Sequence, residues 1–219
     1  ASLREEVTAV LTAAQPEDEV IVRLESAGGL VHGYGLAAAQ LLRIRDRQIR
    51  LTVAVDKVAA SGGYMMACVA DRIIAAPFAI LGSIGVIAQL PNFNRLLKKH
   101  EVDFEQFMAG EHKRTVTLFG ENTDKGRQKF QEEIEDVHAL FKDFVKTHRP
   151  QVDLERVATG EHWFGARALE SRLVDELRTS DAVLLDASTS ADLYEVIYTG
   201  KKPWLARLLT QTGEALGRA

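Results

Sequence analysis

An apolar run, Leu51-Thr52-Val53-Ala54-Val55, leads to Ala59-Ala60-Ser61-Gly62-Gly63-Tyr64 and then to Met65-Met66-Ala67-Cys68-Val69-Ala70. That order reads as strand, tight turn, helix, with a lone hydroxyl at the turn. A serine so placed has its side chain at the mouth of a sheet. The N–H groups that follow it have no acceptor within the first helical turn. One turn therefore supplies both a nucleophile and donors for an oxyanion. The same residues also satisfy a simpler rule. Serine is a favoured helix N-cap and glycine tolerates the turn. The turn alone leaves both readings open.

Strand and helix signals alternate on either side of it. A helix is expected over 2–14, a strand over 19–24, a helix over 33–46, and strands over 51–55, 72–76 and 84–88. A helix near 92–100 and a strand over 102–107 follow. Alternation of this kind predicts an α/β fold with a mostly parallel sheet and crossover helices. Ligands then meet the carboxyl ends of the strands. The Gly28-Gly29 loop, the Ser61 turn and the Gly110–Arg114 loop all follow expected strands, so one crevice could receive all three. Beyond residue 123 the pattern is mainly helical. Phe130, Ile134, Val137, Phe141, Phe144 and Val145 recur at helical spacing until Pro150 stops the helix. Shorter helices are expected near 153–158, 165–171 and 180–187, then a strand over 193–198 and an amphipathic tail after Pro203. With no repeat or linker, residues 1–219 read as a single domain whose 123–219 portion is a mainly helical extension. The chain opens directly on a helical pattern. The expectation is a fragment lacking a first strand and any membrane anchor.

An apolar share of 46% and a charged share of 26% suit a water-soluble globular chain. A net charge of −4 argues against nucleic acid as the main partner. Arg43, Arg45, Arg47 and Arg50 cluster where a helix ends, which suits its dipole. The one cysteine, Cys68, lies in an apolar run and reads as packing.

A nucleophilic serine needs a base. None of the six histidines has a diagnostic spacing, and His32, just past the glycine loop, is the best placed of them. The other candidate is Lys113, in Met108-Ala109-Gly110-Glu111-His112-Lys113-Arg114-Thr115. A lysine is a base only when neutral, which desolvation and nearby positive charge favour. An oxyanion needs two donors. Gly62 offers one and the Ser26-Ala27-Gly28-Gly29 loop the other. A competing pattern overlaps this loop. Gly33-Tyr34-Gly35-Leu36-Ala37-Ala38 with Asp56 further on is similar to a dinucleotide fingerprint. The strand ends near Leu24, however, so its turn holds Gly28 and Gly29 rather than Gly33.

In this order the motifs resemble the signal peptide peptidase A family of Ser-Lys serine proteases, and within it the SohB-like branch. The resemblance rests on Ser26-Ala27-Gly28-Gly29, Ala60-Ser61-Gly62-Gly63-Tyr64, Ala70-Asp71 and Gly82-Ser83-Ile84-Gly85-Val86. It extends to Gly110-Glu111-His112-Lys113, Thr159-Gly160, Gly165, Ala168-Leu169 and Leu173-Val174-Asp175. It implies a Clp/crotonase-like fold, with Ser61 as nucleophile, Lys113 as general base and Ser83 orienting the lysine. Gly29 and Gly62 would be the oxyanion donors, and Gly28, Gly63 and Tyr64 would contact substrate. It implies no metal and no cofactor. Substrates would be hydrophobic, signal-peptide-like segments, and the assembly a ring-like homo-oligomer whose dyad is shared between subunits. Membrane association, on the periplasmic face of a bacterial inner membrane, would run through a segment absent from this chain. Ala27 departs from the family's proline. Two rivals stand beside this reading: a non-catalytic peptide-binding scaffold, and a crotonase-type acyl-CoA enzyme.

Overall fold

The central strand is β2 (Arg50–Val55), every residue of which after Arg50 is buried. A computed structural model describes residues 2–199. An apolar strand buried on both faces belongs in the middle of a parallel sheet covered by helices. Here β2 lies between β1 (Glu19–Arg23) and β4 (Arg72–Ala75), parallel to both, with Val22 opposite Val53 and Val53 opposite Ile73. β7 (Glu176–Leu177) extends this sheet beside β4. A second sheet contains β3 (Val58–Ala60), β5 (Ile80–Gly82) and β6 (His162–Phe164). β3 and β5 pair parallel, and β5 and β6 antiparallel. The architecture is α/β with mostly parallel strands, consistent with a Clp/crotonase-like fold.

The helices cover these sheets. α1 (Ser2–Ala13) packs on α2 (Val31–Asp46), and α2 packs on α3 (Gly62–Ala67). All six residues of α3 are buried, so it fills the space between the layers. α4 (Asn94–Lys99) has no buried residue. α5 (Asp124–His148) is capped by the Thr123 side chain, which accepts from Gly126 N, and seats Phe141 and Val145 in the core. α6 (Leu154–Val157) and α7 (Gly165–Glu170) follow. α8 (Ser180–Ala187) is capped by Thr179 and by Asp56, which accepts from Ser180 N at 2.8 Å and from Ser180 Oγ at 2.5 Å. The second half is mainly helical, yet it returns β6 to one sheet and β7 to the other.

A buried ion pair ties that second half to the core. Arg149 is 3% exposed and donates to both Asp175 oxygens, at 2.9 and 2.7 Å. Asp175 also accepts from Ile73 N at 2.7 Å, so its charge is well hydrogen-bonded. Cys68 is buried, as its apolar surroundings predict, and burial pushes its thiol up to about 12 against the pull of Arg149.

Three expected strands differ. The ladder at the 84–88 region lies four residues earlier, at β5, because Gly82 and Ser83 both take positive φ (85° and 50°) and end it. Residues 102–107 and 193–198 form no strand. Residues 102–107 alternate apolar and polar side chains and 193–198 are rich in apolar and aromatic ones, but a strand also needs a neighbour to bond. Among the described residues neither finds one. The expected tail after Pro203 lies outside the described residues.

Candidate active site

The strand that delivers Ser61 is β3 rather than β2, which ends at Val55 on the far side of the Asp56-Lys57 turn. Ser61 occupies the N-cap position of α3, and its backbone is at φ 52°, ψ −122°. A non-glycine residue in such a region costs on the order of 1–3 kcal/mol and persists only where its surroundings impose it. The surroundings are specific. Ser61 N donates to Gly82 O at 2.8 Å, which pins the turn to the end of β5. The Ser61 side chain makes no cap hydrogen bond. The cap reading of this serine therefore fails. The strain leaves its hydroxyl half-buried and uncommitted at the sheet edge.

The glycine loop is built against this turn. Ser26 N donates to Val58 O at 2.9 Å, and Ala60 N donates to Ser26 O at 3.0 Å, so the loop starts as a short extension beside β3. Gly28 has φ 94°, and a Cβ there would lie 2.7 Å from Ser61 Cβ and 2.8 Å from Gly62 N. Only glycine allows this approach. Gly63 has the same role from the other side, since a Cβ there would overlap Ser26 O. Gly28 N donates to Ser26 Oγ at 3.2 Å. Among the described residues, neither Gly29 N nor Gly62 N has a hydrogen-bond acceptor.

Ser83 follows Gly82, whose carbonyl holds Ser61. Ser83 N donates to Glu161 O at 2.8 Å and Ser83 Oγ to Gly160 O at 3.4 Å. His138 Nε2–H donates to Ile84 O at 3.2 Å, so one of the histidines that sequence reasoning set aside braces this stretch. Tyr64 sits elsewhere than expected. It is fully buried and donates its hydroxyl to Leu173 O at 2.8 Å. Burial pushes its phenol upward. His32 lies exposed on the first turn of α2.

Among the described residues Lys113 has no hydrogen bond to Ser61 or Ser83. Its loop follows irregular chain rather than a strand, and its side chain is exposed. Its N–H donates to Gly110 O at 3.2 Å. The nearby Glu111 carboxylate is taken by Lys125 at 2.5 Å, a bond that holds its carboxyl below the usual range. Among the described residues Lys113 Nζ has no hydrogen-bond or ion-pair partner. The dinucleotide pattern also dissolves. Gly33 and Gly35 lie inside α2, and the Asp56 carboxylate is occupied by Ser180.

The residue that sequence reasoning missed is Tyr34. Its ring packs against Gly62 and its hydroxyl lies 2.8 Å from Ser26 Oγ. Its only signal was an aromatic between two glycines, read there as the opening of a helix.

Comparison with known proteins identifies the family. The model of Peptidase family S49 matches residues 43–194, and that of the Peptidase family S49 N-terminal region matches residues 1–41. A Haemophilus influenzae protein named "Probable protease SohB" is 57% identical over 214 residues, covering 98% of this chain and 61% of the relative. A "Probable protease SohB" of Buchnera aphidicola subsp. Schizaphis graminum is 60% identical over 183 residues, 84% of this chain and 54% of the relative. "Protease 4" of Haemophilus influenzae is 29% identical over 160 residues, 72% of this chain and 26% of the relative. The chain thus spans under two thirds of the length of these curated relatives. With the family model covering most of its length and the Ser61 corner assembled as described, the chain belongs to Peptidase family S49, and within it to the SohB-like branch.

Proposed function

We propose that this chain carries the catalytic machinery of a serine endopeptidase in which Ser61 is the nucleophile and Lys113 the general base. The observation that carries the reading is Ser61 itself: a strained serine at a cap position, without a cap bond, facing a glycine loop. Ser61 Oγ attacks the peptide carbonyl as neutral Lys113 takes its proton. Gly29 N–H and Gly62 N–H receive the oxyanion, and Lys113 returns the proton to the departing amine. Water, deprotonated by the same lysine, then releases the acyl group. Ser83 orients the lysine, and Gly28 and Gly63 shape the floor beside the scissile bond.

Within one chain, Lys113 stands on an exposed loop. The reading that accommodates this is a ring-like homo-oligomer in which the lysine of one subunit meets the serine of its neighbour. Assembly would bury Lys113 and supply the desolvation its chemistry needs. Hydrophobic, signal-peptide-like segments as substrates, and association with the periplasmic face of a bacterial inner membrane, follow from the family resemblance. No helix among the described residues is long and apolar enough to cross a membrane, so anchoring is assigned to sequence outside them.

The test is active-site labelling. A fluorophosphonate probe, followed by mass spectrometry, should modify Ser61. Ser61→Ala should be unlabelled, folded and inactive. A label on another residue, or near-normal turnover by Ser61→Ala, would overturn the assignment.

A further inference from the structure

The two proposed oxyanion donors come from different loops, and one side chain that the mechanism does not use touches both. Tyr34 stands in the first turn of α2, half-buried and packed on the core. A Cβ on Gly29 would lie 2.9 Å from its Cε2, and a Cβ on Gly62 would overlap its ring. Its hydroxyl is 2.8 Å from Ser26 Oγ, the same oxygen that accepts from Gly28 N at 3.2 Å. Ser26 is in turn fixed to β3 through both its N–H and its carbonyl. Ala27, between Ser26 and the glycines, is exposed and places no ring restriction on the loop.

We propose that Tyr34 is a positioning residue for the oxyanion site. Its ring sets the spacing between the Gly29 and Gly62 N–H groups. Its hydroxyl, through Ser26, ties up the Gly28 N–H and leaves Gly29 N–H to face the substrate. The inference rests on the reading of Ser61 as nucleophile, and it assigns to the Ser26–Tyr34 pair the stiffness that the loop's own backbone lacks. A donor that drifts by a fraction of an ångström acts on the transition state rather than on substrate binding, because the charge it meets exists only there.

The test measures kcat, KM and inhibition by a peptide aldehyde, whose hemiacetal oxygen uses the same two donors. The variants are Tyr34→Phe, Tyr34→Leu, Ser26→Ala and Ser26→Ala/Tyr34→Phe, made in the 219-residue chain and assayed well below their melting temperatures. Tyr34→Phe keeps the ring and loses the latch, so kcat should fall about fivefold, the worth of one neutral hydrogen bond. Ser26→Ala, which also releases the Gly28 N–H, should lose at least as much, and the double variant no more than Ser26→Ala alone, since the bond to Tyr34 is already gone. Tyr34→Leu should lose on the order of 100-fold in kcat, approaching the loss of a donor. In every case KM should stay within about twofold and aldehyde affinity should fall in step with kcat. Should Tyr34→Leu not fold, the hydroxyl variants decide. Unchanged kcat, a loss confined to KM, or additive losses from the two hydroxyl removals would overturn the inference while leaving Ser61 as nucleophile. Turnover by Ser61→Ala would overturn the reading beneath it instead.

Discussion

The Ser61 corner and the segment that carries Lys113 are built in opposite ways. Around Ser61 the chain packs backbone against backbone: three glycines meet Ser26, Ser61 and Tyr34 with no room for a Cβ. Every residue from Gly62 to Ala70 is buried. Residues 86–120 instead hold together mostly by themselves. Phe119 stacks on Phe93 and Phe104 at 6.1 and 5.9 Å, and Asn92 and Asn94 donate to the carbonyls of Thr117, Phe119 and Gly120. Ile87 and Phe107 remain 79% and 90% exposed. Apolar side chains left in water on this scale mark a surface that meets another molecule. The contrast teaches that the proposed nucleophile is set in the chain's own core, whereas the proposed base stands on an exposed loop outside it.

The largest effect that can sharpen this contrast is at the lysine. Lys113→Arg should lower turnover at least about 100-fold, because arginine cannot give up its proton. Its unfolding free energy should stay within about 0.5 kcal/mol of wild type, as for other exposed positions. A denaturant titration alongside the assay separates the two. A stable, active arginine variant would remove Lys113 from the chemistry.

At the corner the order of effects should reverse, with stability responding first. Gly63→Ala puts a methyl group into Ser26 O, a backbone atom that cannot move without dragging β3. A loss of about 1–3 kcal/mol is expected from overpacking. A variant as stable as wild type would show that the loop and turn are loosely apposed.

The smallest expected effect is an alkaline one, and it lies beneath the turn. Burial raises both the Tyr64 phenol and the Cys68 thiol, the latter from 9.0 to about 12. Above pH 9 the folded protein then holds protons that the unfolded chain has released. Stability should be intact below pH 9 and decline as pH rises toward 12. Tyr64→Phe should cost about 1 kcal/mol at neutral pH, from the lost bond to Leu173 O, and should make the alkaline decline shallower. An unchanged decline would move its origin away from this pair.

Much of this was legible in the sequence, for reasons that differ by region. Long periodic elements such as α2, β2 and α5 announce themselves because one face or both must be buried. β3, β6 and β7 are three, three and two residues long and carry no readable period. Residues 102–107 carry the period, and 193–198 the apolar and aromatic residues of a strand, without the partner that only tertiary structure reveals. Ser61 and Gly28 were legible because glycine beside a lone hydroxyl is a local signal. The strained backbone at Ser61 goes with its bond to Gly82 O and the close approach of the Ser26–Gly29 loop. No local pattern encodes it. Tyr34 was illegible for the same reason: its partners come from two other loops. Asp56 fitted a dinucleotide spacing by coincidence, because a strand-end carboxylate serves a helix cap as well as a ribose.

The central claim, that one chain completes the serine corner and another supplies the lysine, has a direct measurement. Purified Ser61→Ala and Lys113→Ala, each inactive alone, are mixed in equal amounts under conditions that exchange subunits, and peptide hydrolysis is followed. A dyad shared around a closed ring predicts recovery of about a quarter of wild-type activity at random mixing. A dyad held within each subunit leaves every site broken, and a mixture that stays inactive after proven exchange would contradict the account.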